Sequence, residues 1–170
     1  MAYFLRALRL LGIVVWVGGL VFFAFIEAPV AFHAMGTTRQ FALLIGGSIA
    51  GINHIGEIAG CVFVLATLLL WKHSSPLARK LLGAELLLVI LMIAATVYVQ
   101  RHIVPAMERD RAAVGGDINS VPADNPIREH FDNLHATSEK VEGTGLFLGL
   151  GVVLLIAGED RRGEAAPVTR

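Results

Sequence analysis

Histidine and carboxylate side chains recur within apolar stretches of this sequence, at spacings that suit a metal ion. His54 and Glu57 are three residues apart, so they share one face of a helix. His135, Glu139 and Glu142 follow at offsets of four and seven residues, which also places them on one helical stripe. Imidazole nitrogen and carboxylate oxygen are suitable ligands for Fe, Mn, Zn or Cu(II). These five residues are therefore the candidate metal ligands.

Other cofactors and chemistries fit the sequence differently. A haem could take His54 and His135 as its axial ligands. A Cu(I) pathway would need thiolates or thioethers, but Cys61 is the single cysteine and only Met92 lies in the middle of an apolar stretch. No Gly-rich phosphate loop, nucleophile elbow or His-Glu-x-x-His motif is present, and no nucleophile–base pair can be named, so an enzyme is not favoured.

Two further sets of polar residues lie in or near the apolar stretches. One set could support the metal ligands by hydrogen bonding: Glu27, Asn53, Arg101, His102 and Arg128. The other set lies near the opposite end of the same stretches, where Arg6 or Arg9 could neutralise Glu85 in an ion pair.

The composition requires that these side chains be positioned by membrane helices. Of the 170 residues, 55% are hydrophobic and 16% are charged, and the mean hydropathy is +0.68. Such a chain is too apolar for disorder, and its zero net charge gives no sign of nucleic-acid binding. A single cysteine excludes an intramolecular disulfide framework.

Four stretches reach or nearly reach the length of about 20 mainly apolar residues that a spanning helix needs. They predict an all-α, single-domain bundle of four transmembrane helices, at about 4–32, 40–71, 77–103 and 126–158. Residues 104–125 would form an outer loop and residues 159–170 a polar tail. Arg6 and Arg9 precede the first apolar run as in a secretory signal, but that run is long and no cleavage site follows, so we expect a retained helix.

Depth decides which of the polar residues could meet. Counted from the cytoplasmic helix ends at about 1.5 Å per residue, His54, Glu57, Glu139 and Glu142 lie ~21 to ~28 Å up, in the outer third of a hydrocarbon core of about 30 Å. Glu85 lies near ~12 Å, too low to join them. We therefore expect one polar layer towards the outside and a separate ion pair towards the inside.

The distribution of basic residues predicts the orientation. With four spans, the side that holds both termini carries eight basic residues: Arg6, Arg9, Lys72, Arg79, Lys80, Arg161, Arg162 and Arg170. The other side carries six: Arg39, Arg101, Arg109, Arg111, Arg128 and Lys140. The positive-inside rule then predicts that both termini lie in the cytoplasm. We expect the membrane to be a bacterial inner membrane.

Glycine pairs four residues apart predict close helix packing. They are Gly47 with Gly51, Gly56 with Gly60, and Gly145 with Gly149. Packing within the bundle is the simpler interpretation, and a homo-oligomer or a larger membrane complex is the alternative.

The order of several short segments resembles the transmembrane-protein-205-like family of small four-helix membrane proteins. The segments are Trp16-Val-Gly-Gly followed by Glu27-Ala-Pro-Val-Ala-Phe32, then Gly51-Ile-Asn-His54, and then Arg101-His-Ile-Val-Pro105-Ala-Met107 with Phe131-Asp-Asn-Leu-His135-Ala-Thr-Ser138. The resemblance implies a four-span bundle with His54 and His135 at the family's histidine positions. Eukaryotic relatives are associated with tolerance of platinum drugs, which hints at metal handling. The Trp-Val-Gly-Gly turn also looks, more weakly, like the copper-resistance D membrane domain.

Three functions compete at this point. The first is binding of a transition metal or haem in the outer half of the membrane, for metal handling or electron transfer. The second is a non-catalytic accessory or scaffold subunit, whose polar residues only hold the bundle together. The third is a proton- or ion-coupled transporter that uses Glu85 and the outer polar layer, although no polar path joins the two layers in the sequence.

Overall fold

Four long helices dominate the computed structural model, which describes residues 1–36 and 39–164. Helices α1, α2 and α3 span Ala2–Met35, Arg39–Trp71 and Pro76–Ala113, and α4 spans Pro126–Glu164. A short 3-10 helix, Ile118–Ser120, lies between α3 and α4, and the described residues contain no strand. All four long helices are long and apolar enough to cross a membrane. The predicted fold of four membrane helices is confirmed.

The helices form a ring in which each one packs against two neighbours. The extensive contacts are α1 with α2, α2 with α3, α3 with α4, and α4 with α1. Helix α1 is therefore diagonal to α3, and α2 is diagonal to α4. We call the end of the bundle with the 72–75 turn the turn end, and the end with residues 114–125 the loop end.

A tryptophan fitted against glycine joins α1 to α2. Trp16 is buried, and a Cβ atom added at Gly56 would overlap its indole ring. At Gly60 an added Cβ would lie 2.7 Å from the Trp16 ring and 3.0 Å from Ile93 of α3. Gly56 and Gly60 thus permit close helix packing within the bundle, as the sequence predicted.

The other glycine pairs differ in their surroundings. An added Cβ at Gly149 of α4 would contact Val17 and Met92, so this glycine also permits close packing inside the ring. At Gly47 and Gly51 an added Cβ would have open space. These two glycines therefore do not pack within the bundle.

Apolar side chains fill the ring in three clusters along its axis. The central core consists of Ile13, Trp16, Val17, Leu20, Phe63, Val89, Met92 and Val152. The turn-end core consists of Leu5, Ala66, Leu70 and Leu82. The loop-end core consists of Val99, Ile103, Met107, Ile118 and Phe131.

A π-helical segment interrupts both α1 and α3, each time two residues before a proline. The segments are Phe23–Glu27 and Val99–Ile103, and the prolines are Pro29 and Pro105. Proline has no N–H to donate and its ring crowds the carbonyl four residues earlier, which in both helices belongs to the π-helical segment. The wider π turn accommodates this crowding, so both helices continue past their prolines.

The end of α3 differs from the sequence prediction. A helix end at 103 and a loop from 104 were expected, but α3 continues to Ala113 because the π turn accommodates Pro105. Helix α4 begins at Pro126, where the Asn125 side chain accepts a hydrogen bond from the Ile127 N–H. The helix runs on to Glu164 through the start of the expected tail, and tail residues 165–170 lie outside the described residues.

Candidate functional site: two polar pairs across the ring

A buried ion pair joins α1 to α3 near the turn end. Arg9 Nη2 contacts Glu85 Oε2, with only 2% of the Arg9 side chain and 0% of the Glu85 side chain exposed. The Arg9 guanidinium also lies 5.2 Å from the centre of the Phe63 ring. Arg6, the other candidate partner, is exposed. The pair spans a diagonal of the ring, where the two helix backbones do not pack together.

A second polar pair spans the other diagonal, nearer the loop end. Asn53 of α2 is fully buried, and its Nδ2 donates a hydrogen bond of 2.8 Å to Oε1 of Glu142 on α4. Lipid chains offer no hydrogen-bond partners, so polar side chains in a membrane interior must find their partners within the protein. Both diagonals of the ring are thus connected by polar side chains.

The central core separates the two pairs along the bundle axis. Each helix contributes a member that lies beyond its own paired residue in the direction of the other pair: Ile13 on α1, Phe63 on α2, Val89 on α3 and Val152 on α4. These four side chains are at most 1% exposed. The described residues therefore leave an apolar barrier between the two polar pairs.

The predicted metal ligands do not converge in this structure. His54 is exposed and Glu57 is half-buried on α2. His135 Nε2 and Glu139 Oε1 are 3.4 Å apart on α4, but 55% and 68% of their side chains are exposed. Within residues 1–36 and 39–158, whose side chains the structure describes, no group of three or more His, Cys, Asp or Glu side chains could hold a metal ion.

Rotation about the helix axis explains the difference. Adjacent helical residues point about 100° apart, so Asn53 and His54 cannot both face the ring centre. Asn53 occupies the inward position and bonds to Glu142, which leaves His54 on the outer surface. Of the five predicted ligands, Glu142 is the one that the structure places in a contact across the ring.

The predicted supporting residues are also dispersed. Glu27 is half-buried, while Arg101 and His102 are exposed. The His102 ring lies 5.5 Å from the Tyr98 ring on the same helix. Arg128 Nη1 donates a 2.8 Å hydrogen bond to the Val121 carbonyl, which secures the loop-end segment to α4. Asn53 alone in this set contacts a predicted ligand of another helix.

Sequence reasoning missed two polar residues of α3 that face the ring. Thr96 is buried, and the Nε2 atom of Gln100 is buried without a hydrogen-bond partner among the described residues. A signal for Gln100 was available in the sequence, because Thr96 and Gln100 are four residues apart and so share one face of an apolar helix.

A family model matches most of the ring. The match extends over residues 11–113, and its family is described as a domain of unknown function, DUF4149. The chain belongs to the DUF4149 family. The matched region ends at the last residue of α3 and includes Asn53, Glu85 and Gln100, whereas α4 lies outside it.

The other comparisons add no relatives. A search of curated proteins gives no match. A search of solved structures gives no match either. The resemblances to the transmembrane-protein-205-like family and to the copper-resistance D membrane domain receive no support from these comparisons.

Proposed function

We propose that this chain is a non-catalytic structural component of a membrane assembly, an accessory or scaffold subunit. The observation that carries the proposal is the use of buried polar side chains across both diagonals of the ring. Arg9 with Glu85, and Asn53 with Glu142, connect helices that are diagonal in the ring and share no extensive backbone contacts. Side chains committed to such contacts serve the architecture rather than a substrate.

The surroundings of the two pairs agree with this role. The central core between them is apolar and closed, which disfavours a conducting path through the ring. The exposed positions of His54, His135 and Glu139 disfavour a shared metal or haem site. Metal handling and electron transfer, as well as ion-coupled transport, stay predictions from the sequence.

An exposed apolar stripe on α4 is where a partner helix could pack. Phe147, Leu150 and Leu154 follow at offsets of three and four residues and are 74%, 41% and 73% exposed. Such spacing is that of a coiled-coil-like seam, in which side chains of a partner helix could interdigitate. Polar pairs inside the ring, combined with an apolar outer stripe, suit a subunit that keeps its own shape while it contacts another protein.

The test is purification of the full chain from native membranes in a mild detergent, followed by native mass spectrometry. The proposal expects a stoichiometric assembly that the His54→Leu/His135→Leu double variant retains and the Phe147→Ala/Leu154→Ala double variant loses. A wild-type chain recovered alone would contradict it. So would an assembly that depends on the two histidines.

A further inference from the structure

Two facing residues of α2 and α3 share one level of the ring. The contact between Gly60 and Ile93 fixes the register of these helices near the ring centre, and the contact between Gly83 and Trp71 gives the same register at the turn end. Because α2 and α3 are joined by the short 72–75 turn, they run in opposite directions. Asn53 therefore lies opposite Gln100, each two helical turns beyond the Gly60–Ile93 contact.

Three polar atoms at this level have no hydrogen-bond partner within the described part of the chain. They are Oδ1 of Asn53, Nε2 of Gln100 and Nε1 of Trp16. Asn53 is 0% exposed and Trp16 is 2% exposed, so neither side chain is reached by outside solvent.

The position of the Trp16 indole N–H brings it to the same site. It lies against Gly56, which is one helical turn from Asn53 on the same face of α2. One hydrogen bond at this level joins two of the helices directly, since Asn53 Nδ2 donates to Glu142 Oε1. The register and these two contacts thus place polar side chains of all four helices close to one level of the ring.

The chemistry of these atoms selects the ligand. A bare cation would be repelled by the N–H groups of Trp16 and Gln100, and an anion by the oxygens of Asn53 and Glu142. Water can accept two hydrogen bonds and donate two, and buried water occupies sites with two to four polar partners. We propose that Trp16, Asn53, Gln100 and Glu142 enclose a binding site for an ordered water molecule within the membrane-spanning ring.

The local backbone supports a built site at this position. Gln100 belongs to the π-helical segment Val99–Ile103, which widens α3 just where its side chain turns towards the ring. π-helical turns inside α-helices occur frequently at functional sites. The site is closed towards the turn end by the central core. The proposed water site does not depend on whether the chain joins a larger assembly.

The chain offers an internal control for the test, because its two tryptophans are Trp16 and Trp71. The full chain is labelled with ¹⁵N-tryptophan in detergent, and the indole signal of Trp16 is assigned with the Trp71→Phe variant. Magnetisation transfer from water to the Trp16 indole proton is then measured. We expect a transfer signal in the wild type that falls at least threefold in Gln100→Met and in Asn53→Leu. Asn133→Leu, which changes an exposed asparagine, should keep the wild-type signal.

Three results would overturn the proposal. The first is a wild-type Trp16 signal without transfer from water. The second is transfer that stays unchanged in Gln100→Met, a variant that leaves the Asn53–Glu142 hydrogen bond intact and so keeps the test valid if Asn53→Leu does not fold. The third is a saturable shift of the Trp16 signal with NaCl that choline chloride does not reproduce, which would assign the site to a cation.

Discussion

At the scale of single residues, depth and rotation about the helix axis contribute separately to the site. Depth could be read from the sequence, since residue number fixes height in a spanning helix. It placed Arg6 and Arg9 near the level of Glu85, and the structure pairs Arg9 with Glu85. Rotation could not be read, because a chain that is apolar on all sides leaves the inward face of a helix undefined. Asn53 therefore replaced His54 as the contact of Glu142.

Substitutions of Glu142 and His54 should lower the free energy of unfolding by different amounts. Glu142→Leu leaves the buried Asn53 donor without its acceptor, and such an orphaned group costs about 1–3 kcal/mol. His54→Leu changes an exposed side chain and should alter stability by less than about 0.5 kcal/mol. Reversible unfolding in mixed detergent micelles measures both. Equal losses in the two variants would show that Asn53 is not the relevant partner.

The metal content of the purified protein distinguishes the proposed structural role from the predicted metal or haem site. Because His54 and His135 are exposed on different helices, we expect less than stoichiometric Fe, Mn, Zn or Cu and no visible absorption band. Elemental analysis and a visible spectrum on one sample measure this. A stoichiometric metal or a haem band that disappears in His54→Ala would refute the structural account.

At the scale of elements, the sequence was sufficient for the existence of the helices but not for their irregularities. Long apolar stretches could be recognised because the bilayer thickness sets a minimum length. The end of α3 was misplaced because Pro105 looked like a helix terminator, and the π turn that accommodates it has no simple signature. Pro29 in α1 shows the same arrangement, so a proline at such a depth can mark a π turn.

Close approach of α1 and α2 depends on the absence of a side chain at Gly56. Gly56→Ala would force a methyl group into the Trp16 ring, and overpacking of this kind costs about 1–3 kcal/mol. Gly51→Ala on the same helix meets open space, so it should be neutral or stabilise the helix by up to about 1 kcal/mol. Thermal unfolding in detergent compares the two. Comparable losses would mean that helix propensity, rather than the Trp16 contact, governs both positions.

At the scale of the whole molecule, the fold follows from length and hydropathy, while the ring order required the structure. Nothing in the sequence specified that α1 and α3 would be diagonal, because every helix is apolar enough to take any neighbour. The polar pairs provide that specification. Arg9 and Glu85 satisfy each other across the ring, so an arrangement that separated α1 from α3 would leave charges in an apolar interior.

The orientation of the ring in the membrane is a prediction from its basic residues. Single cysteines introduced at exposed positions in a Cys61→Ala background report it: His73→Cys at the turn end and Ala123→Cys at the loop end. The positive-inside rule predicts that an impermeant maleimide labels Ala123→Cys in intact cells and labels His73→Cys only after lysis. The opposite pattern would place both termini outside.

The central claim is that buried polar pairs hold diagonal helices together, and a double-mutant cycle on Arg9 and Glu85 tests it most directly. Removing one partner of a buried pair costs about 3–5 kcal/mol, because the other charge stays buried, whereas an apolar replacement of both is often close to neutral. Unfolding free energies in mixed micelles should therefore fall steeply in Arg9→Met and in Glu85→Leu, and recover in the double variant. Losses that simply add, or single variants as stable as the wild type, would contradict the account.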